Sequence, residues 1–428
     1  MTENIPAPSA LLPAVQGNNK NVIVIGGGVT GVVTAWELQR AGYKVFLVES
    51  KSLGNGSSSR SAAAIRAQFS TPSTVRGMKF CEEFYEAWTT MMKSEESPIS
   101  QNGYLFLYGY SCNKKALLGR VEMQQQAGLS EVRWLEPSEI EEKFPYLETT
   151  GVIGATWYPK DGFLYPHLIY QDGAEAARAL GAEVIQNDGV ASATVTDGNV
   201  VEVTLRSGRK IPADYVVNAA NSWAPDVSNI FGGVILPIAN RRRYLYFLNG
   251  LKDQGEDFGL MAEDFATLPM IITPNGGYCR PDNKQLMMGW LQFTEPVKPD
   301  FDEQDLIEPG FSANDMTGYG AAVRKEIGAY LLAASEVGRM DAVTSGYYAD
   351  TPDHNPLIGH DPNVGNLIHV CGFSGHGLMH APFSARIVSE ILAAGKDLAT
   401  ICLGDYGEVD LTPYRINREF HCAEGMVI

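Results

Sequence analysis

Basic charge is scarce in this chain. Its 428 residues carry 33 Lys+Arg against 50 Asp+Glu, a formal net charge of −17. A molecule of that sign repels nucleic acid and anionic membrane surfaces, so neither is expected as a partner. The one tight basic cluster, Arg241-Arg242-Arg243, is too short to reverse the field and reads most simply as a solvated strand edge, though one member could face an active site. Cysteine is scarce as well. The six (Cys81, Cys112, Cys279, Cys371, Cys402, Cys422) are scattered without a C-x-x-C pair. That pattern indicates neither a structural zinc site nor a disulfide framework, and it fits a reducing, cytoplasmic setting. A long apolar run is also missing. The most apolar stretch, Val22 to Val48, is interrupted by glycines and by Glu37, Gln39, Arg40 and Lys44, so no membrane span is expected. Residues 1–20 lack the basic start and apolar core of a signal peptide and read as a flexible arm.

What the chain has in quantity is apolar character, 45% of its residues, enough for a large core and more than one packed unit. Asn21 to Ile25 (NVIVI) is a continuous β-branched run, as in a strand buried on both faces of a parallel sheet. Glycines follow, then a helix over Thr30 to Ala41 stopped by Gly42. Lys44 to Val48 is a second buried strand ending at Glu49, which completes a βαβ unit. Further helices are expected over 76–92, 136–144, 167–180, 318–336 and 382–394. Strands are expected over 103–110, 183–185, 191–196, 200–205, 210–217, 243–247, 270–272, 286–290 and 366–370. Nucleotide-binding features at both ends enclose a differently patterned middle. The expected organisation is a discontinuous coenzyme domain (21–95, 148–225, 337–412) with a substrate-binding domain (96–147, 226–336) inserted, flanked by the arm (1–20) and a tail (413–428).

Three segments carry coenzyme chemistry. In Gly26-x-Gly28-x-x-Gly31 the first glycine permits the tight turn, the second lets a pyrophosphate approach the backbone, and the third lets helix and strand pack closely. The pyrophosphate would rest on the helix N-terminus at Val29 and Thr30, where free N–H groups and the macrodipole favour anions. Glu49, with Ser50 beside it, can accept hydrogen bonds from the adenosine ribose hydroxyls and would repel a 2′-phosphate. This fingerprint does not separate NAD from FAD. The loop after it, with Ser58, Ser59 and Arg60, offers hydroxyls and a guanidinium to an extended dinucleotide. Near the C-terminus, Cys371-Gly372-Phe373-Ser374-Gly375-His376-Gly377, followed by Leu378, forms a second glycine-cornered strand-to-helix turn. Two such devices suit a coenzyme with two ends, and the second could hold the electron-rich edge of a reduced isoalloxazine.

The segments VIVIGGGVTGVVTAWEL (22–38), SRSAAAIRAQFS (59–70), DGFLYP (161–166), VVNAANSWA (216–224), GYYADTPDHNPLIG (346–359) and CGFSGHGLMHAP (371–382), with the acid at 49, together resemble the D-amino-acid oxidase superfamily. The likeness spans roughly 20–410, on the branch with glycine oxidase, sarcosine oxidases and dimethylglycine dehydrogenase. It implies an α/β fold: a Rossmann-like FAD-binding domain of the glutathione-reductase type, with an inserted α+β substrate domain built on a large mixed sheet. It also implies FAD, and oxidation of a C–N bond by hydride transfer to flavin N5, giving an imine that water hydrolyses. On this likeness Ala64, Ile65, Val190, Ala219, Ala220, Trp223 and Gly346 also lie against the coenzyme.

Departures from the family pattern inform the expectations. Relatives with covalent flavin use a His in the loop around 57–62 or a Cys before the TPD segment. This chain has Ser59, Arg60, Ser61 and Gly346 there, so FAD is expected to be non-covalent. A lysine that promotes oxygen chemistry in monomeric sarcosine oxidases corresponds to Met287, and a second, carboxylate-binding lysine to Met379 or His380. Arg66, of the family's I-R pair, is the first candidate for clamping a substrate carboxylate and Arg280 the second; a structural ion pair or a surface role is an equal alternative for each. Tyr348 and His376 are further catalytic candidates, and Tyr244, Tyr246 and Tyr347 are candidate pocket walls. The expected substrate is a small amino acid or a secondary or N-methyl amine, with O2 or another acceptor, and a homo-oligomer or dehydrogenase partner subunits as possible company. The alternatives are a flavin-dependent 2-hydroxy-acid oxidoreductase and a catalytically silent flavoprotein in an electron-transfer assembly.

Overall fold

A strand of this chain can only be apolar throughout if both its faces are covered, and β1 (Asn21–Ile25) is covered on both. In the computed structural model, which describes residues 12–290, 294–420 and 424, β1 lies between the parallel strands β2 (Lys44–Val48) and Tyr215–Asn218, with Ile23 opposite Phe46 and Val216. The full sheet runs Leu357–His360, Leu367–Cys371, Tyr215–Asn218, β1, β2, Glu183–Ile185, and only the first strand is antiparallel. Successive side chains alternate between faces. Val22, Val24, Val45 and Leu47 pack under α1 (Val29–Arg40) and the helices Pro166–Ala179 and Gly377–Ala394. Ile23, Ile25, Phe46 and Val48 meet a second, three-stranded sheet through Val200, Val203 and Leu205. Each fully buried Val, Ile or Leu contributes about 1.5–3 kcal/mol.

The other large layer is an eight-stranded mixed sheet in the order Arg339–Asp350, Ala239–Asn249, Gln285–Trp290, Gly277–Asp282, Met270–Ile272, Tyr104–Gly109, Val152–Tyr158, Arg133–Leu135. Two of these strands, Val152–Tyr158 and Arg339–Asp350, come from segments expected in the coenzyme unit. One face of the sheet packs against short helices such as Tyr319–Gly328 through Val323 and Ile327. The other presents Tyr104, Phe106, Met270, Tyr278 and Met287 toward Ala62. That second face looks at the segment that carries Ala62 and Ala64.

Several expectations need correction. Arg241–Arg243 is no solvated edge: Ala239–Asn249 is an inner strand, and Arg242 and Arg243 are buried. Arg242 donates to the carbonyls of Glu303 and Gln304, and Arg243 faces Asp350 at 3.7 Å. The helix expected over 76–92 is two, Pro72–Glu86, capped by Thr71, and Trp88–Met92. The one expected over 318–336 is also two, Tyr319–Gly328 and Leu332–Glu336. The last long helix starts at Gly377, not at Pro382. Pro382 sits inside it, and the Leu378 carbonyl that lacks a Pro382 N–H accepts instead from the Tyr85 hydroxyl at 2.7 Å. Of the N-terminal arm, residues 1–11 lie outside the described residues. Residues 12–20 are bound to the body through Gly17 N–H to the Ala41 carbonyl and Arg386 to the Pro13 carbonyl. The first part of the expected tail is likewise fixed: Arg418 forks onto Asp353 with two 2.7 Å bonds, both side chains buried. Residues 421–423 and 425–428 lie outside the described residues.

Candidate active site

The two glycine corners meet. β1 and Leu367–Cys371 are parallel strands of one sheet, separated only by Tyr215–Asn218, and the turns that follow them both open into a single cavity of about 500 Å³. Gly26, Gly28, Val29, Thr30, Glu49, Ser50 and Ser58 line one end; Phe373, Gly375, Gly377 and Leu378 line the other. The wall also includes Val190, Ala219, Ala220, Trp223 and Tyr348. The link is Asn221, a residue with positive φ (+44°) whose Oδ1 accepts from Gly372 N–H at 3.1 Å and Phe373 N–H at 3.4 Å.

The local geometry has physical causes. Gly31 is off the cavity wall but sets its shape, because a Cβ there would come within 1.8 Å of the Gly26 carbonyl oxygen. Gly26 itself has φ +114°, where a side chain is strained. Glu49 is buried and accepts from Gly27 N–H at 2.6 Å and Lys51 N–H at 2.8 Å, which anchors its carboxylate at the cavity edge. Ser58 Oγ accepts from Val29 N–H at 3.1 Å, tying the serine loop to the start of α1. In the second corner, Ser374 (φ +47°) donates its N–H to the Ala349 carbonyl and accepts from Thr351 N–H at 3.1 Å. The TPD segment thus serves as the latch for that corner.

A smaller cavity of about 40 Å³ adjoins the large one, sharing Ser61, Tyr348 and Gly375. Its wall is Ala62, Ala63, Ala64, Arg66, Tyr104, Met270, Tyr278, His376 and Met379. Arg66 is 2% exposed, donates to the Gln68 carbonyl at 2.6 Å and lies 4.0 Å from the Phe69 ring centre. His376 is buried with neither ring nitrogen hydrogen-bonded. Burial pushes it well below its ordinary value, helped by His380, Arg66 and His354, so the imidazole is neutral. His380 is pushed down to about 4, chiefly by burial. Tyr278 and Tyr348 are raised by burial and stay protonated. Arg243 lies over the Tyr348 ring at 5.1 Å. Met287 belongs to the apolar cluster of Tyr104, Met270 and Tyr278.

Some expected residues are elsewhere. Arg280 lies outside both cavity walls: its guanidinium donates to the Ala62 and Pro281 carbonyls at 2.7 Å and sits 4.6 Å from the Phe163 ring centre, so it braces the loop that carries Ala62. Gly346 is pressed against the Arg60 backbone, Gly372 against Thr351, and Ile65 is core. Ser59 donates its hydroxyl to the Gly56 carbonyl and is off the wall, whereas Arg60 lines it. Tyr347 lines the large cavity, while Tyr244 and Tyr246 belong to the far core.

Sequence reasoning missed the segment 298–302. Lys298 to Asp302 covers the large cavity, with Phe301 stacked on Trp223 at 4.0 Å and 5° between planes. The segment's root is held by Arg60, which forks onto Asp305 at 2.6 and 2.8 Å, and by Gln304 on Asn55. A polar, proline-containing loop far from any glycine motif gave no signal. Among the described residues no helix is long and apolar enough to cross a membrane, and no group of three His, Cys, Asp or Glu is placed to hold a metal.

The fit to FAD follows from this cradle: a cavity with a helix N-terminus and closely approaching glycine backbone at each end, an anchored acid at one end, and a second pocket at the other. Comparison with known proteins agrees. The chain is 26% identical to the bovine (Bos taurus) FAD-dependent oxidoreductase domain-containing protein 1, over 93% of this chain and 84% of that one. The crystal structure of L-proline dehydrogenase from P. horikoshii superposes with a TM-score of 0.76 at 27% identity, covering 90% of this chain and 95% of the other. Glycine oxidase from Geobacillus kaustophilus superposes with a TM-score of 0.74 at 19% identity, covering 94% and 99%, which bears on the fold. Residues 21–391 match the profile of the DAO family, described as FAD dependent oxidoreductase, and the chain is a member of that family of FAD-dependent enzymes.

Proposed function

We propose that this flavoenzyme oxidises the C–N bond of a small amino acid or secondary or N-methyl amino acid to the imine, with FAD held non-covalently. The observation that carries the reading is the small cavity: a buried arginine and an unpartnered neutral imidazole share a pocket that opens onto the second glycine corner. In this reading the α1 N-terminus, Gly28 and Ser58 receive the pyrophosphate and Glu49 the adenosine ribose. The Phe373–Leu378 corner receives the flavin ring. FAD supplies a two-electron acceptor for the hydride of the amine-bearing carbon.

The chain's own groups do the rest. The Arg66 fork binds the substrate carboxylate through two oxygens. His376, held neutral by burial, accepts a hydrogen bond from the neutral amine and orients it, so that the nitrogen lone pair is available as the C–H bond breaks and C=N forms. Tyr104, Tyr278, Tyr348, Met270 and Met379 enclose the substrate and exclude water, and they fix the carbon's approach. The small volume favours a compact side chain. Two similar proteins, an L-proline dehydrogenase and a 4-methylaminobutanoate oxidase, support a secondary amine as the reacting group, although the chain spans less than half of the latter.

The test is anaerobic mixing of the FAD-loaded protein with primary, secondary and N-methyl amino acids, their decarboxylated forms and their 2-hydroxy analogues. Bleaching by a small amino acid, and not by its decarboxylated form, is expected. Faster bleaching by the hydroxy analogues, or none by any amine, would contradict the reading.

A further inference from the structure

Behind Arg66 the protein buries two carboxyl groups. Asp161 has no exposure, and it accepts from Ala67 N–H at 2.6 Å and from Gln68 Nε2 at 2.8 Å. Glu82, 1% exposed on the helix Pro72–Glu86, hydrogen-bonds the same carboxyl group. Arg66 in turn donates to the Gln68 carbonyl. Asp161 therefore fixes the backbone that follows Arg66, including the residue on which its guanidinium rests. Two carboxyl groups hydrogen-bonded in a dry site do not both ionise. Burial drives Glu82 well above the ordinary range, with Asp161, Glu86 and Glu83 adding to it. Burial raises Asp161 to about 6, restrained by hydrogen bonds from Glu82, Gln68 and Ala67 and by the charge of Arg66. The nearby Tyr104 and Tyr158 are raised by burial and stay neutral. The pair carries one proton and one negative charge, set against the arginine.

We propose that the Glu82–Asp161 pair positions Arg66 and balances its charge, so that a carboxylate captured by Arg66 draws a proton from solvent into the pair. The inference rests on the reading that Arg66 receives a carboxylate. Before capture the cluster is neutral. Afterwards it holds one excess negative charge in a low-dielectric site, and protonation of Asp161 relieves it. Only an O–H bond forms, and no electron moves.

The experiment titrates the FAD-loaded protein with acetate, which has no amine, from about pH 5.5 to 8.5, reading the flavin difference spectrum and proton uptake with a pH indicator. The wild type is expected to bind acetate more weakly as pH rises above about 6, by up to about tenfold per pH unit, with proton uptake on binding. Asp161→Asn should flatten the slope and abolish the uptake. His376→Gln should keep both, and this variant decides the matter if Asp161→Asn does not hold FAD. A flat wild-type profile, a slope that persists in Asp161→Asn, or uptake lost in His376→Gln overturns the proposal. An acetate response retained in Arg66→Gln, or absent from the wild type, overturns the reading of Arg66 itself.

Discussion

Gly31 and Gly26 are in contact across the start of α1, so closely that a Cβ on Gly31 would lie 1.8 Å from the Gly26 carbonyl oxygen. The obstructing atom is backbone, which cannot swing away. Gly31→Ala is therefore expected to push α1 off the strand, at a cost of about 1–3 kcal/mol. FAD affinity should fall roughly tenfold or more, as measured by flavin fluorescence, with a lower Tm of the loaded protein.

The Arg60–Asp305 pair ties the root of the 298–302 cover to the serine loop, and the Asp305 side chain is 70% exposed. An exposed pair contributes little, so Asp305→Asn should speed FAD release by about two- to fivefold. Wild-type release should accelerate with salt toward the variant's rate. Stopped-flow release into excess apoprotein of another flavin binder measures both.

Arg66 offers a planar fork at the small cavity. Arg66→Lys keeps the charge and loses the second bond, so KM for amino-acid substrates should rise about tenfold or more, with little change in FAD affinity. Steady-state kinetics alongside an FAD titration check the split.

Asp353 holds Arg418 and, through Asn355 N–H and the Thr351 hydroxyl, the latch of the second corner. Burial alone would raise its carboxyl, but the hydrogen bonds and charge of Arg418 and the bonds from Asn355 outweigh that and hold it below the ordinary range. With the folded value depressed, its stabilisation is fully present above an unfolded value near about 3.9 and is lost as pH falls through the folded value. Arg418→Met leaves Asp353 buried without its cation, so a loss of about 3–5 kcal/mol is expected at neutral pH. In the variant burial is no longer offset by Arg418 and holds that carboxyl above its unfolded value, so the deficit relative to the wild type should shrink as pH falls through the acid range, as followed by thermal melts across an acid series.

The βαβ unit was legible because local chemistry determines it: an apolar β-branched strand, a glycine corner and an acid at the next strand end are all adjacent in sequence. Met270–Ile272 was legible for the same reason. What was hidden depends on contacts distant along the chain. Arg242 reads as surface until Ala239–Asn249 is seen to lie inside a sheet, with the carbonyls of Glu303, Gln304 and Leu306 supplying its acceptors. Arg280 reads as a ligand-binding cation until the Ala62 carbonyl is seen to engage it. Pro382 reads as a helix start because the Tyr85 hydroxyl that fills its missing bond lies far away in sequence. The cover at 298–302 has no sequence pattern, only a partner in Trp223.

The most direct test of the whole account is a titration of the apoprotein with FAD, in the wild type and in Gly28→Val and Gly377→Val. Both glycines line the large cavity, one from each corner, and neither has a positive φ. One FAD per chain is predicted for the wild type, and each substitution alone should abolish tight binding while the apoprotein still melts cooperatively. Unchanged FAD affinity in either variant, or no FAD bound by the wild type, would contradict a single coenzyme gripped from both ends.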